Sequence, residues 1–146
     1  GVSSGGYWAH PTLSRRAGVA GAFFEDVSAH LLEWSWRVAP LGRPGYATFR
    51  RIYRRAYRYL DLRRHAPHLR VGRSAYVSGA LDTGVTPADT RTLAELAGGE
   101  CWIVPGADHL ESIKKAGEEV IGRALETFRE AEEDQRRPAG RLTARR

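Results

Sequence analysis

The chain has 146 residues, of which 42% are hydrophobic and 27% charged; this suits one modest globular core and is too apolar for a disordered chain. No apolar run approaches the roughly 18 residues of a membrane span, and no charged segment leads into an apolar one, so neither a transmembrane helix nor a signal peptide lies within the sequence, and a cytoplasmic location is expected. The net charge of +6 comes from the end: Arg136, Arg137, Arg141, Arg145 and Arg146 stand without an acid, and the other 18 basic residues face 17 acidic ones, which weakens a nucleic-acid reading.

The chain opens on Gly1-Val2-Ser3-Ser4-Gly5-Gly6, a glycine-rich turn at the start of a predicted short helix that Pro11 limits or kinks. There is no methionine, and this opening reads as the middle of a structural motif, so the expectation is a chain cut upstream. Gly18 to Phe24 is a short apolar run bounded by glycine and by Glu25-Asp26, the first expected strand. Residues 28 to 41 suggest a helix and loop. From Tyr46 to Leu60 the apolar positions follow helical spacing with Arg50, Arg51, Arg54, Arg55 and Arg58 opposite, an amphipathic helix.

Ser74 to Gly79 is the second expected strand, followed by the turn-rich Ala80-Leu81-Asp82-Thr83-Gly84. Thr86 and Pro87 open a helix as N-cap and first position, and Gly98-Gly99 close it. Glu100 to Val104 is the third strand, and its Cys101, the only cysteine, reads as a small strand residue rather than a catalytic thiol. A loop over 105–110 leads to a long helix from Glu111 to about Glu133, and the Arg-rich tail, 136–146, is expected to be disordered. Strands alternating with helices in this way predict a parallel sheet, with ligands beyond the carboxyl ends of the strands.

Three residues stand at those ends. Gly1-Val2-Ser3-Ser4-Gly5 matches G-x-S-x-G, in which small neighbours let a strained strand-to-helix turn lift a nucleophilic serine, here Ser3, above the sheet. Asp82 follows the second strand and could accept an imidazole hydrogen bond; His109 follows the third, in a loop read as flexible and suited to a general base. The chain order Ser, Asp, His is the order this architecture uses. Asp26 is the strongest rival acid, with Asp89 and Asp108 behind it. Neither His10 and His30 nor His65 and His68 have a spacing that suggests zinc.

With Gly79-Ala80-Leu81-Asp82 and Val85-Thr86-Pro87 as an acid loop, and Val104-Pro105-Gly106-Ala107-Asp108-His109 as a histidine loop, the sequence resembles the α/β-hydrolase family over about residues 1 to 130. The resemblance implies a partial α/β-hydrolase fold, a parallel sheet with flanking helices, forming the C-terminal part of one domain over 1–135 with a helical cap-like insertion over 30–73. It implies a serine hydrolase of the esterase, lipase or peptidase class, cleaving an acyl bond of a small-molecule substrate through Ser3, Asp82 and His109. The backbone N–H of Ser4 would be one oxyanion donor, and no cofactor or metal would be needed. The loop that supplies a second donor in that family has no counterpart here, so the fragment alone is expected to be inactive or nearly so. Trp34, Trp36, Tyr46 and Phe49 suggest an apolar pocket. Two other readings are a noncatalytic member of the fold, and an anion- or nucleic-acid-binding strip over 43–73, where ten arginines accompany only Asp61.

Overall fold

The computed structural model describes residues 1–38, 47–48, 51–52, 55 and 58–137. Three parallel strands form the sheet: β1 (Val19–Glu25), β2 (Val71–Gly79) and β3 (Glu100–Val104), in the order β1-β2-β3. Val19 lies opposite Val71, and Tyr76 lies between Phe24 and Cys101. The expected strands are all present. β2 begins earlier than Ser74, because Val71 pairs with Val19 although Gly72 and Arg73 interrupt the apolar pattern.

Helix α1 (Gly6–Leu13) follows the glycine-rich turn and carries Pro11 inside it, while α2 (Leu31–Val38) forms the start of the expected insertion. Helix α3 (Pro87–Ala97) has the predicted boundaries for the predicted reasons. Thr86 Oγ1 accepts the Asp89 N–H and the Asp89 carboxylate accepts the Thr86 N–H, a reciprocal cap, and Gly98 ends the helix at φ 64°. Helix α4 (Ser112–Arg136) is interrupted at Ala116, where φ is −141°.

Side chains alternate across the strands, so each face of the sheet has its own core. Ala22, Phe24 and Tyr76 pack with Tyr7 of α1 and with Leu93 and Ala94 of α3, whereas Val77 and Val104 pack with Val120 of α4. Burying a side chain of this size is worth about 1.5–3 kcal/mol. Leu60, Leu62 and Ala66, in short 3-10 turns over 58–68, are buried in the first of these cores. The end of the 30–73 segment therefore belongs to the body of the domain. Most of the amphipathic helix expected over 46–60, including Tyr46 and Phe49, lies outside the described residues, as does the expected tail from 138 on; Arg136, placed in that tail by the sequence, is instead the last residue of α4.

Cys101 is a strand residue as expected, yet it is exposed, as is Glu100 before it at the start of the edge strand β3. One glycine controls an approach that matters below. A Cβ added at Gly79, the last residue of β2, would lie 2.4 Å from the carbonyl oxygen of Ala107 and 2.7 Å from that of Asp108, so the chain after β3 crosses directly over the end of β2.

Candidate active site

Residues 1 and 2 run beside the end of β1. The Gly1 carbonyl accepts the Glu25 N–H at 3.0 Å, and Val2 bridges Glu25 in parallel. The chain then turns sharply at Ser3, where φ is 45°, and enters a single 3-10 turn, Ser3–Gly5, that leads into α1. A left-handed serine costs about 1–2 kcal/mol. A bridge residue, a left-handed serine and a helical turn thus follow one another over the G-x-S-x-G segment. The tight contact lies one residue beyond the motif: a Cβ at Gly5 would meet nothing within 4 Å, whereas one at Gly6 would fall 2.3 Å from a Val27 methyl.

Helix α1 is held by a side chain that sequence spacing did not single out. His10 is fully buried; its Nδ1 lies 2.9 Å from the Gly6 carbonyl and its Nε2 lies 3.0 Å from the Tyr76 hydroxyl. A carbonyl only accepts, so Nδ1 carries the hydrogen; with the imidazole kept neutral by burial, Nε2 is left to accept from the Tyr76 hydroxyl. Burial lowers its pKa to about 4.

The three expected residues meet. Ser3 Oγ lies 3.2 Å from His109 Nε2, and His109 Nδ1 lies 2.6 Å from Asp82 Oδ2. Asp82 Oδ1 accepts the N–H groups of Gly84 and Val85 at 2.8 and 2.7 Å. Its side chain is 1% exposed against 31% for His109, so the acid is fixed from behind while the imidazole keeps an open side. With Asp82 accepting at Nδ1, Nε2 is left to accept the hydrogen of Ser3. Ser4 follows at the start of the helical turn, where the first N–H groups lack intrahelical partners.

The histidine loop is more firmly tied than its glycine and proline content suggests. Leu81 N–H donates to the Ala107 carbonyl at 2.8 Å, and His109 N–H to Asp108 Oδ1 at 2.7 Å. Leu110 N–H donates to Asp26 Oδ2 at 2.6 Å, and Leu110 itself stands at φ 59°.

The rival acids have other work. Asp89 caps α3 and pairs with Arg37 at 2.6 Å, while Arg37 also donates to the Gly84 carbonyl beside Asp82. Asp108 holds the backbone of His109. Asp26, fully buried at φ 48°, accepts from Leu110 and, at 3.3 Å, from the Gly79 N–H. Burial raises the Asp26 carboxyl above the usual carboxylate range; Asp82 adds to the shift, while the Leu110 hydrogen bond and His109 oppose it. Ligand atoms of Asp26, Asp82 and His109 all lie within 4.8 Å of one another. Each of these residues also makes a hydrogen bond there: His109 Nδ1 with Asp82, and Asp26 with the Gly79 and Leu110 N–H groups. His65 Nε2 is also engaged, 2.6 Å from the Tyr59 carbonyl.

Beside Ser3 a narrow cleft of about 40 Å³ is lined by Ser4, Tyr7, Leu31, Trp34 and Val85. Tyr7 is buried, and its hydroxyl lies beside Ser28 without reaching hydrogen-bond geometry. Of the four aromatic residues expected at a pocket, Trp34 reaches this cleft, while Tyr46, Phe49 and the side chain of Trp36 lie outside the described residues.

No protein-family model and no curated protein matches the sequence. Solved structures do. An acylaminoacyl peptidase from Pyrococcus horikoshii is similar over 90% of this chain and 23% of its own, with a TM-score of 0.64 and 15% identity. A puromycin-hydrolyzing peptidase of Mycobacterium tuberculosis is similar over 90% and 21%, with a TM-score of 0.65 and 19% identity. A thermophilic esterase from Thermogutta terrifontis is similar over 90% and 64%, with a TM-score of 0.56 and 18% identity. The chain thus spans less than a quarter of each peptidase and under two thirds of the esterase. All are α/β-hydrolase fold proteins, and this chain carries part of that fold. No helix among the described residues is long and apolar enough to cross a membrane.

Proposed function

We propose that the chain supplies the nucleophile, base and acid of a serine hydrolase that cleaves an acyl bond through an acyl-enzyme. The observation that carries this reading is the unbroken line from Ser3 Oγ through His109 to Asp82, at 3.2 and 2.6 Å. Hydrolases among the structural neighbours support the class; the roles rest on geometry.

His109 Nε2 takes the proton of Ser3 as Oγ attacks the acyl carbonyl, and Asp82 holds the imidazole in the right tautomer and balances its charge. The Ser4 N–H stabilises the developing oxyanion, a donor worth on the order of 10²–10³ in rate. His109 then gives its proton to the leaving group, and water repeats the sequence on the acyl-enzyme. The cleft lined by Tyr7, Leu31, Trp34 and Val85 has room for a short apolar group. The substrate is an ester-type or amide acyl compound carrying such a group.

A fluorophosphonate probe tests the reading on the protein bearing this chain, with the label mapped by mass spectrometry. Labelling of Ser3, lost in Ser3→Ala and in His109→Ala, is expected. Labelling elsewhere, or none, overturns the mechanism and leaves a noncatalytic use of the fold.

A further inference from the structure

Asp26 does something that the Ser3, His109 and Asp82 roles do not account for. It sits at the carboxyl end of β1, and its two oxygens reach two other elements: Oδ1 accepts the N–H of Gly79, the last residue of β2, and Oδ2 accepts the N–H of Leu110, which directly follows His109. Its own N–H donates to the Val77 carbonyl at 2.9 Å, so its backbone is fixed to β2 as well. Both Asp26 and Leu110 hold left-handed conformations, a cost that persists only where surrounding contacts over-determine the backbone. We infer that the Asp26 carboxylate is the positioning residue of the histidine loop: while ionised it grips Leu110 and Gly79 and keeps His109 over Ser3, and on protonation it releases the loop.

This deepens the hydrolase reading and rests on His109 as its base. The physical reason for a charge-dependent latch is simple. A carboxylate accepts at both oxygens, and hydrogen bonds to a charged acceptor are roughly twice as strong as neutral ones; protonation removes the charge and turns one oxygen into a hydroxyl, a much weaker acceptor for the second N–H. The ionisable groups that face Asp26 are Asp82 from the loop after β2, His109 from the loop after β3, and Glu25 next to it on β1. Burial, seconded by the charge of Asp82, raises its titration above that of an ordinary aspartate.

The test reads the latch directly, without needing turnover. In the ¹⁵N-labelled protein bearing this chain, the amide protons of Leu110 and Gly79 are followed from about pH 7 to pH 3. They are expected to shift together with one midpoint above that of an unperturbed aspartate. The shared transition should vanish in Asp26→Asn and survive in Glu25→Gln, and amide exchange at Leu110 should rise at least about 10-fold in Asp26→Asn. Asparagine is at home in left-handed backbone, so this variant removes charge with little strain. If it fails to fold, the wild-type transition alone decides. Separate midpoints, no transition, or a transition that persists in Asp26→Asn overturns the proposal. In a second arm, with an activated ester and the protein bearing this chain, Asp26→Asn is expected to lower kcat on the order of 10- to 100-fold with KM nearly unchanged, the signature of a misplaced base. An unaltered kcat in an active protein also overturns it. A wild-type protein that hydrolyses nothing counts against the hydrolase reading, while the amide titration still judges the latch.

Discussion

Replacing Gly79 with alanine perturbs the site without touching any of its chemical groups. The added Cβ would sit 2.4 Å from the Ala107 carbonyl oxygen and 2.7 Å from that of Asp108, where contacts below 3.0 Å are essentially never seen. Both atoms are backbone, so no side chain can rotate away, and the loop after β3 must lift by roughly 0.6 Å at Ala107 to clear the methyl group. His109 rides on that loop two residues later, already 3.2 Å from Ser3 Oγ, and moving the imidazole by such a distance carries it out of hydrogen-bond range. The lift also pulls on the Leu81 N–H bond to the Ala107 carbonyl, whose 2.8 Å length leaves little slack. Overpacking of this kind costs about 1–3 kcal/mol of stability, and a misplacement approaching 1 Å costs up to about 10²-fold in rate. Urea unfolding and ester hydrolysis on the same preparations measure the two effects. Alanine at this position with wild-type stability and wild-type kcat would refute the argument that the end of β2 sets the height of the histidine loop.

Asp82→Asn is expected to keep the fold and lower kcat on the order of 10⁴-fold with a small change in KM, measured by steady-state kinetics, because the amide nitrogen facing His109 Nδ1 would force the tautomer that cannot accept from Ser3; a loss under about 10-fold would argue against Asp82 as the acid. Stability should also fall between pH 6.5 and about 4 on account of His10: its folded pKa is lowered from 6.5 to about 4, so over that window the unfolded chain takes up a proton that the folded chain refuses. The contribution is up to about 1.4 kcal/mol per pH unit, read as the difference in urea unfolding between the wild-type chain and His10→Gln, which should lack this part of the slope.

What could be read along the chain was local. Short apolar runs and the turn residues that bound them marked β1, β2 and β3, and Thr86, Pro87 and Gly98 marked α3, because caps and breakers act within four residues of where they stand. The G-x-S-x-G spacing pointed to the turn at Ser3, and chain order pointed to Asp82 and His109. What no local pattern carries is which groups meet across the sheet. Asp26 looked like a rival acid and proves to hold the backbone of Leu110 and Gly79; His10 looked ordinary and proves to lock α1 onto Tyr76. Cys101 looked like a packed strand residue, and it is exposed at the start of the edge strand β3. These assignments depend on strand order and on how three loops stack at one end of a parallel sheet. Residues more than 50 positions apart are brought there by packing, and a single chain's spacing says nothing of their distance. Local pattern was enough for the elements and for the chemistry at their ends; which carboxylate lies against the imidazole and which one accepts from its loop depends on the packing of those ends against one another.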